Sequence, residues 1–122
     1  MRKDILYYLS HPYTTCGDPA TNQHAAQLIE SELKLKYGMS VINPIILPLG
    51  GDNETAMGKC RILYEACDAV IFCDNWNKSS GCRAEHKWTV EDQKPKYRYR
   101  NGELLEMNDY QEYLDSVLDP RD

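Results

Sequence analysis

Residues 67–74 read Cys-Asp-Ala-Val-Ile-Phe-Cys-Asp, a continuous apolar run between Asp68 and Asp74 with no polar residue inside it. A strand with one wet face alternates apolar and polar side chains, whereas an unbroken run is what a strand buried on both faces needs. Helices supply such cover on the two faces of a parallel sheet. Three helical patterns surround the run. Asp18-Pro19 has the form of an N-cap and first helical residue, and Ala25, Ala26, Leu28, Ile29, Leu33 and Leu35 recur at helical spacing up to Tyr37-Gly38, where glycine closes the helix. A second helix, capped by Asp52 or Asn53, carries Ala56, Met57, Cys60, Ile62, Leu63 and Ala66, and a third runs from about Gly81 to Glu91.

Two further strands complete the alternation. Asp4 to Ser10 (DILYYLS) is rich in aromatic and apolar residues and stops at His11-Pro12, and Met39 to Pro44 (MSVINP) forms a short second strand. The resulting β-α-β-α-β-α order predicts an α/β fold, a flavodoxin/Rossmann-like three-layer sandwich around a central parallel sheet of four to five strands with right-handed crossovers. Ligands of such sheets bind beyond the carboxyl ends of the strands, which here means loops 11–18, 44–53 and 74–80. Beyond Gln93 the pattern changes to tyrosines alternating with basic residues, followed by Asn101-Gly102, a strong short-range hairpin signal. A short helix capped by Asn108 or Asp109 follows to about residue 118, so residues 1–122 read as a single domain with a C-terminal hairpin and helix over about 94–118.

A net charge of −5 and a pI near 5.2 argue against a nucleic-acid polymer as partner, although a small ligand carrying phosphate is compatible with them. The sequence contains no apolar run of membrane-spanning length, and the interrupted apolar stretch at the N-terminus is too short for a secretion signal, so no membrane association and a cytoplasmic, soluble protein are expected. Cys16, Cys60, Cys67, Cys73 and Cys82 form no CxxC pair, and none of the three histidines has zinc-finger spacing. Free thiols, no metal and no cofactor are the expectation, with Cys67 and Cys73 buried beside the apolar strand.

The chemistry-bearing residues converge on one helix start. Ser79, Ser80 and Gly81 enter the third helix, where unpaired N–H groups and the positive end of the dipole favour an anion and glycine lets it approach; most Ser-Ser-Gly starts are only caps. Glu85 lies about one turn further along the same side, in position either to attack a ligand carbon or to pair on the surface with Arg83 or Lys87. At the end of the first strand Tyr8 points away from Tyr7, and Ser10, His11 and Tyr13 crowd the same edge as Glu85; a tyrosine hydroxyl there would orient a carboxylate, or simply reach solvent from a packed ring. His11 is either a proton donor to a leaving group or a loop residue with a satisfied hydrogen bond. Asp74 tops the third strand and is the better site candidate, Asp68 being structural at its lower end. Trp76 offers a face on which a base would stack, while Trp88 suits the core or a subunit interface.

Four stretches in this order, Tyr-Leu-Ser-His-Pro at 8–12, Val-Ile-Asn-Pro at 41–44, Cys-Asp-Ala-Val-Ile-Phe at 67–72, and the segment from Trp76 to Glu85, resemble the nucleoside 2-deoxyribosyltransferase-like superfamily, especially a branch of short phage and bacterial proteins. The resemblance covers roughly residues 4–92. It implies that Glu85 is a nucleophile toward C1′ of a 2-deoxyribosyl group, that Tyr8 hydrogen-bonds it, and that Ser79 binds a 5′-phosphate in the manner of the related deoxynucleoside monophosphate hydrolases. It also implies a nucleoside or nucleotide as small-molecule partner and a homo-oligomer, dimer or higher. The family's second-helix aspartate corresponds to Cys60 here, its glycine after the first-strand serine or alanine is His11, and Arg83 is a bulky addition before Glu85. Two functions follow as expectations: N-glycosidic cleavage or transfer on a 2-deoxynucleoside or its 5′-monophosphate, or non-catalytic binding of a nucleotide in the same pocket.

Overall fold

The computed structural model describes residues 5–47 and 52–108. Five strands, β1 (Leu6–Ser10), β2 (Ser40–Ile42), β3 (Ala69–Phe72), β4 (Lys96–Arg100) and β5 (Glu103–Glu106), form one sheet in the order β2-β1-β3-β4-β5. The first four are mutually parallel and β5 returns antiparallel to β4. Three helices, α1 (Pro19–Tyr37), α2 (Asn53–Glu65) and α3 (Ser80–Asp92), complete a flavodoxin/Rossmann-like sandwich. The chain runs outward from β1 to β2 and then crosses back over β1 to β3. The β1/β3 boundary is therefore the switch point at which a crevice opens above the strands.

The side-chain alternation of the central strands decides what each helix covers. All four β3 residues are buried: Val70 and Phe72 join Tyr8, Cys60, Tyr64 and Cys82 in one core cluster, while Ile71 joins Leu9, Ala26, Leu33 and Tyr99 in the other. The first cluster lies beneath α2 and α3 and the second beneath α1. Tyr7 and Tyr8 consequently face opposite layers, Tyr7 against the α1 layer and Tyr8, fully buried, against Tyr64 and α3.

Local chemistry sets the helix ends. Asp18 accepts from the Thr21 N–H at 2.8 Å and Asp52 from the Thr55 N–H at 2.7 Å, which resolves the choice between Asp52 and Asn53 for the second cap. Gly38, at φ 65°, closes α1, whereas α3 ends on Gln93 in the same left-handed conformation without a glycine. Lys94 then donates its Nζ to the carbonyls of Tyr64 and Cys67 at 2.9 and 2.8 Å, satisfying the C-terminal end of α2. Asp68 is structural, accepting from the Leu6 N–H at 2.8 Å. The expected turn at Asn101-Gly102 has positive φ at both residues, 51° and 78°, as a two-residue hairpin demands.

Some expectations need correction. Leu28 and Leu35 on α1 and Ile62 on α2 share the helical periodicity but are exposed, because the buried stripe of α1 runs through Ala26 and Leu33 and sits to one side of them. Ser79 is the cap of α3, so the helix begins at Ser80 rather than at Gly81. The C-terminal helix expected from Asn108 or Asp109 onward lies outside the described residues.

Candidate active site

Above the switch point is a cavity of about 250 Å³ bounded by the loop after β1, the segment after β2, and the facing sides of α2 and α3. Its wall next to β1 is made by α3. Glu85, buried at 6 % exposure, turns inward from this helix and accepts one hydroxyl on each carboxylate oxygen. Tyr8 donates to Oε2, and Ser10, two residues along the same face of β1, donates its Oγ–H to Oε1 at 2.7 Å. Among the described residues lining the cavity there is no lysine or arginine. Burial therefore dominates and pushes the Glu85 carboxyl up to about 7, while the two hydroxyl bonds, which favour the charged form, pull it partway back. The site thus holds a carboxyl group that exchanges its proton near neutrality, the condition expected of a group that reacts as a base or nucleophile.

The start of α3 forms the adjoining wall. The Ser79 hydroxyl accepts from the Cys82 N–H at 3.2 Å and is thereby the helix cap, while Ser80 and Gly81 also line the cavity. A Cβ placed on Gly81 would meet nothing closer than Met57 Sδ at 3.5 Å, an ordinary contact, and the φ of Gly81 is not positive. Neither packing nor backbone conformation requires glycine here, and its effect is to leave the first N–H groups of the helix open to a ligand.

The other candidates separate into two groups. His11 lines the cavity with its Nδ1 2.8 Å from the Pro12 carbonyl, which can only accept, so Nδ1 carries the proton and Nε2 is the acceptor end of the neutral ring. Burial holds the His11 ring below the usual histidine range and keeps it neutral at pH 7. Asp74 and Trp76 are not brought to the cavity. Asp74 is largely exposed and pairs with Arg98 Nη2 at 3.0 Å. Trp76 is 7 % exposed and turned into the core, stacked on the His86 ring at 4.7 Å and tilted against Phe72 at 5.3 Å. Its indole face is already covered by protein and is not available to stack a base. Trp88 packs against Tyr64 at the edge of the core.

Several contributors carried no sequence signal. Asn22, on α1, donates its Nδ2 to the carbonyls of Tyr13, Thr15 and Gly17, with the shortest bond 2.8 Å, and so fixes the loop that forms the cavity rim. Cys82 lines the cavity between the helix start and Glu85, with its backbone N–H given to the Ser79 hydroxyl. The spacing Asp18-x-x-x-Asn22 could have suggested a loop clamp, but only alongside many other polar pairs. Among the described residues no group of three or more His, Cys, Asp or Glu side chains is placed to hold a metal ion, and no helix is long and apolar enough to cross a membrane.

With this geometry in place, comparison with known families gives one match: the model of the Domain of unknown function (DUF4406) fits residues 5–95, well over half of the chain. The chain belongs to the DUF4406 family. No curated protein and no solved structure matches it. The DUF4406 region contains Tyr8, Ser10, Cys60, the α3 start and Glu85, and ends one residue before β4. The whole site lies inside the DUF4406 match, while the β4–β5 hairpin, with Arg98, falls beyond it.

Proposed function

We propose that this chain cleaves or transfers the N-glycosidic bond of a 2-deoxynucleoside or its 5′-monophosphate, with Glu85 as nucleophile. The observation that carries the reading is a buried carboxylate, oriented by two hydroxyls, about one helical turn from an open helix start on the wall of the same cavity. A sugar or 5′-phosphate resting on Ser79, Ser80 and the Gly81 N–H would present C1′ toward Glu85. A Glu85 oxygen forms the bond to C1′ as the C1′–N bond breaks, and the electron pair leaves with the base, which takes a proton from water. Water or a second base then forms the new bond to C1′ as the C1′–O bond to Glu85 breaks and returns the carboxylate, and the incoming group gives its proton to solvent, so hydrolysis or transfer results with retention in either case. The hydroxyls of Tyr8 and Ser10 hold the attacking carboxylate in one orientation throughout.

The test is chromatography of free base released from 2′-deoxynucleosides, their 5′-monophosphates and the ribose counterparts, with Glu85→Gln alongside. Release by the wild type and none by Glu85→Gln is expected. Because the attacking form is ionised and the carboxyl titrates at about 7, kcat/KM should rise about tenfold per pH unit below pH 7 and level off above it. A rate that falls as the pH rises through 7 would sink the nucleophile reading.

One observation favours a second reading, a nucleotide-binding protein without turnover. Among the described residues lining the cavity Glu85 is the only acid, with Cys60 on the α2 wall, so no second carboxyl faces the leaving base. Retaining glycosidases ordinarily use a pair of carboxyls. A nucleotide that raises the melting temperature without any base release selects this reading. A cytoplasmic location and assembly as a dimer or higher oligomer belong to the same proposal, and sedimentation at a monomer mass removes the latter.

A further inference from the structure

His11 lines the cavity, and the reaction written for Glu85 leaves it without a task. It follows Ser10, whose hydroxyl holds Glu85 Oε1, so the strand that orients the carboxylate also sets the position of this residue. The residue is half-buried, and its Nδ1 lies 2.8 Å from the Pro12 carbonyl. A carbonyl only accepts, so the other tautomer would set lone pair against lone pair and lose this bond. Nε2 therefore carries no proton. It has no hydrogen-bond partner among the described residues and is not sealed in the interior. Burial outweighs the Pro12 carbonyl and the Asp74 carboxylate, both of which favour the charged ring, and keeps it neutral at pH 7. The hydroxyls of Tyr13, Thr14, Thr15 and Ser80 and the amide of Asn53, residues that line the same cavity, can each give or take a hydrogen bond and so discriminate little. A neutral ring fixed with its proton on Nδ1 can only take one at Nε2.

We propose that His11 Nε2 is a specificity-determining contact, a fixed acceptor that takes a hydrogen bond from an O–H or N–H donor of the ligand held at Glu85. Donor and acceptor sides are then divided within the cavity. The start of α3 presents N–H groups to an oxygen of the ligand, and the end of β1 presents a lone pair to its hydroxyl, amino or ring N–H group. A ligand seated the other way round would bring an oxygen against Nε2 and leave both unpaired, so the same contact fixes which end of the molecule faces α3. A nucleoside offers two such donors, the 3′-hydroxyl of the sugar and an N–H of the base. The choice of a nucleoside as ligand rests on the glycosidic reading of Glu85; the tautomer and the open Nε2 do not.

The first test is 15N NMR of the full chain with labelled histidine near pH 7.5, assigned with His11→Gln. The His11 ring should show a protonated Nδ1 and a bare Nε2, and the Nε2 resonance should shift when a nucleoside binds. A ring protonated at Nε2 overturns the proposal whatever binds. The second test is calorimetry with the four 2′-deoxynucleosides on the full chain carrying Glu85→Gln, which should consume none of them. The tightest-bound one is compared with its 2′,3′-dideoxy counterpart and with an analogue that lacks the base donor, such as purine 2′-deoxyriboside in place of 2′-deoxyadenosine. One of the two deletions should weaken binding about tenfold or more with His11 present and less than about twofold in His11→Phe, which keeps a flat ring and removes the acceptor. A loss with the dideoxy compound assigns the contact to the sugar, and a loss with the other analogue assigns it to the base. Deletions that cost the same with and without His11, or no nucleoside bound at all, overturn the proposal. Binding that shows this coupling while the wild type releases no base removes the glycosidic reading and keeps this one.

Discussion

Glu85→Gln should leave stability nearly unchanged near pH 4 and increase it by about 3 kcal/mol at pH 8, which corresponds to a rise of roughly 10 °C in melting temperature for a domain of this size. The sign follows from the direction of the shift. The folded protein holds the Glu85 carboxyl at about 7 against an ordinary 4.5, so folding favours its neutral form. Below pH 4.5 the group is protonated in both states and costs nothing. Between 4.5 and 7 the unfolded chain ionises first and the native state loses stability, and above 7 the loss is complete. Glutamine has nearly the shape of the protonated acid and still accepts from Tyr8, with its amide N–H free to meet the Ser10 oxygen. Paired melting curves from pH 4 to 8 measure the effect, and a difference that does not grow with pH would mean that Glu85 is not held neutral by burial.

The second large effect is at Arg98, 1 % exposed on β4. Its Nη1 donates to the Tyr99 carbonyl at 2.7 Å and faces that of Phe72 at 3.5 Å, while Nη2 pairs with Asp74. Arg98→Ala leaves buried carbonyls short of a donor and a void the length of the side chain, at a cost of about 3–5 kcal/mol in urea unfolding. Arg98→Met keeps the apolar stem and should recover about half of that loss. Asp74 is 66 % exposed, and Asp74→Asn should cost less than about 1 kcal/mol. Equal losses for Arg98→Ala and Asp74→Asn would show that the ion pair, rather than the buried guanidinium, holds this corner.

Those two residues also mark what was legible in the sequence and what was not. The unbroken apolar run of β3 gave away a sheet covered on both faces, and Asp18-Pro19, Gly38 and Asn101-Gly102 located ends and turns, because each of these signals acts within a few residues. The period of two along β1 put Tyr8 on the face opposite Tyr7, and four residues of helix placed Glu85 near Gly81. The fate of Trp76 depended on Asn75 entering a left-handed conformation and turning the indole onto His86, and a fold-level rule for loops above a sheet says nothing about that. Asp74 was taken up by Arg98, whose burial is hidden in a strand that alternates tyrosines with basic residues. The two hydroxyls on Glu85 come from a strand more than seventy residues earlier in the chain, and pairing across such distances in sequence leaves no local trace.

The start of α3 and Glu85 belong to one continuous helix, whose 1.5 Å rise per residue fixes Gly81 and Glu85 about 6 Å apart along the axis. The helix therefore acts as a ruler. A molecule anchored by one group at the helix start meets the carboxylate only with an atom at that set separation, so selection is by length before any question of base or sugar arises. Loop changes around the rim can alter which heterocycle fits, but only an insertion or deletion within the first turn of α3 can recalibrate the scale.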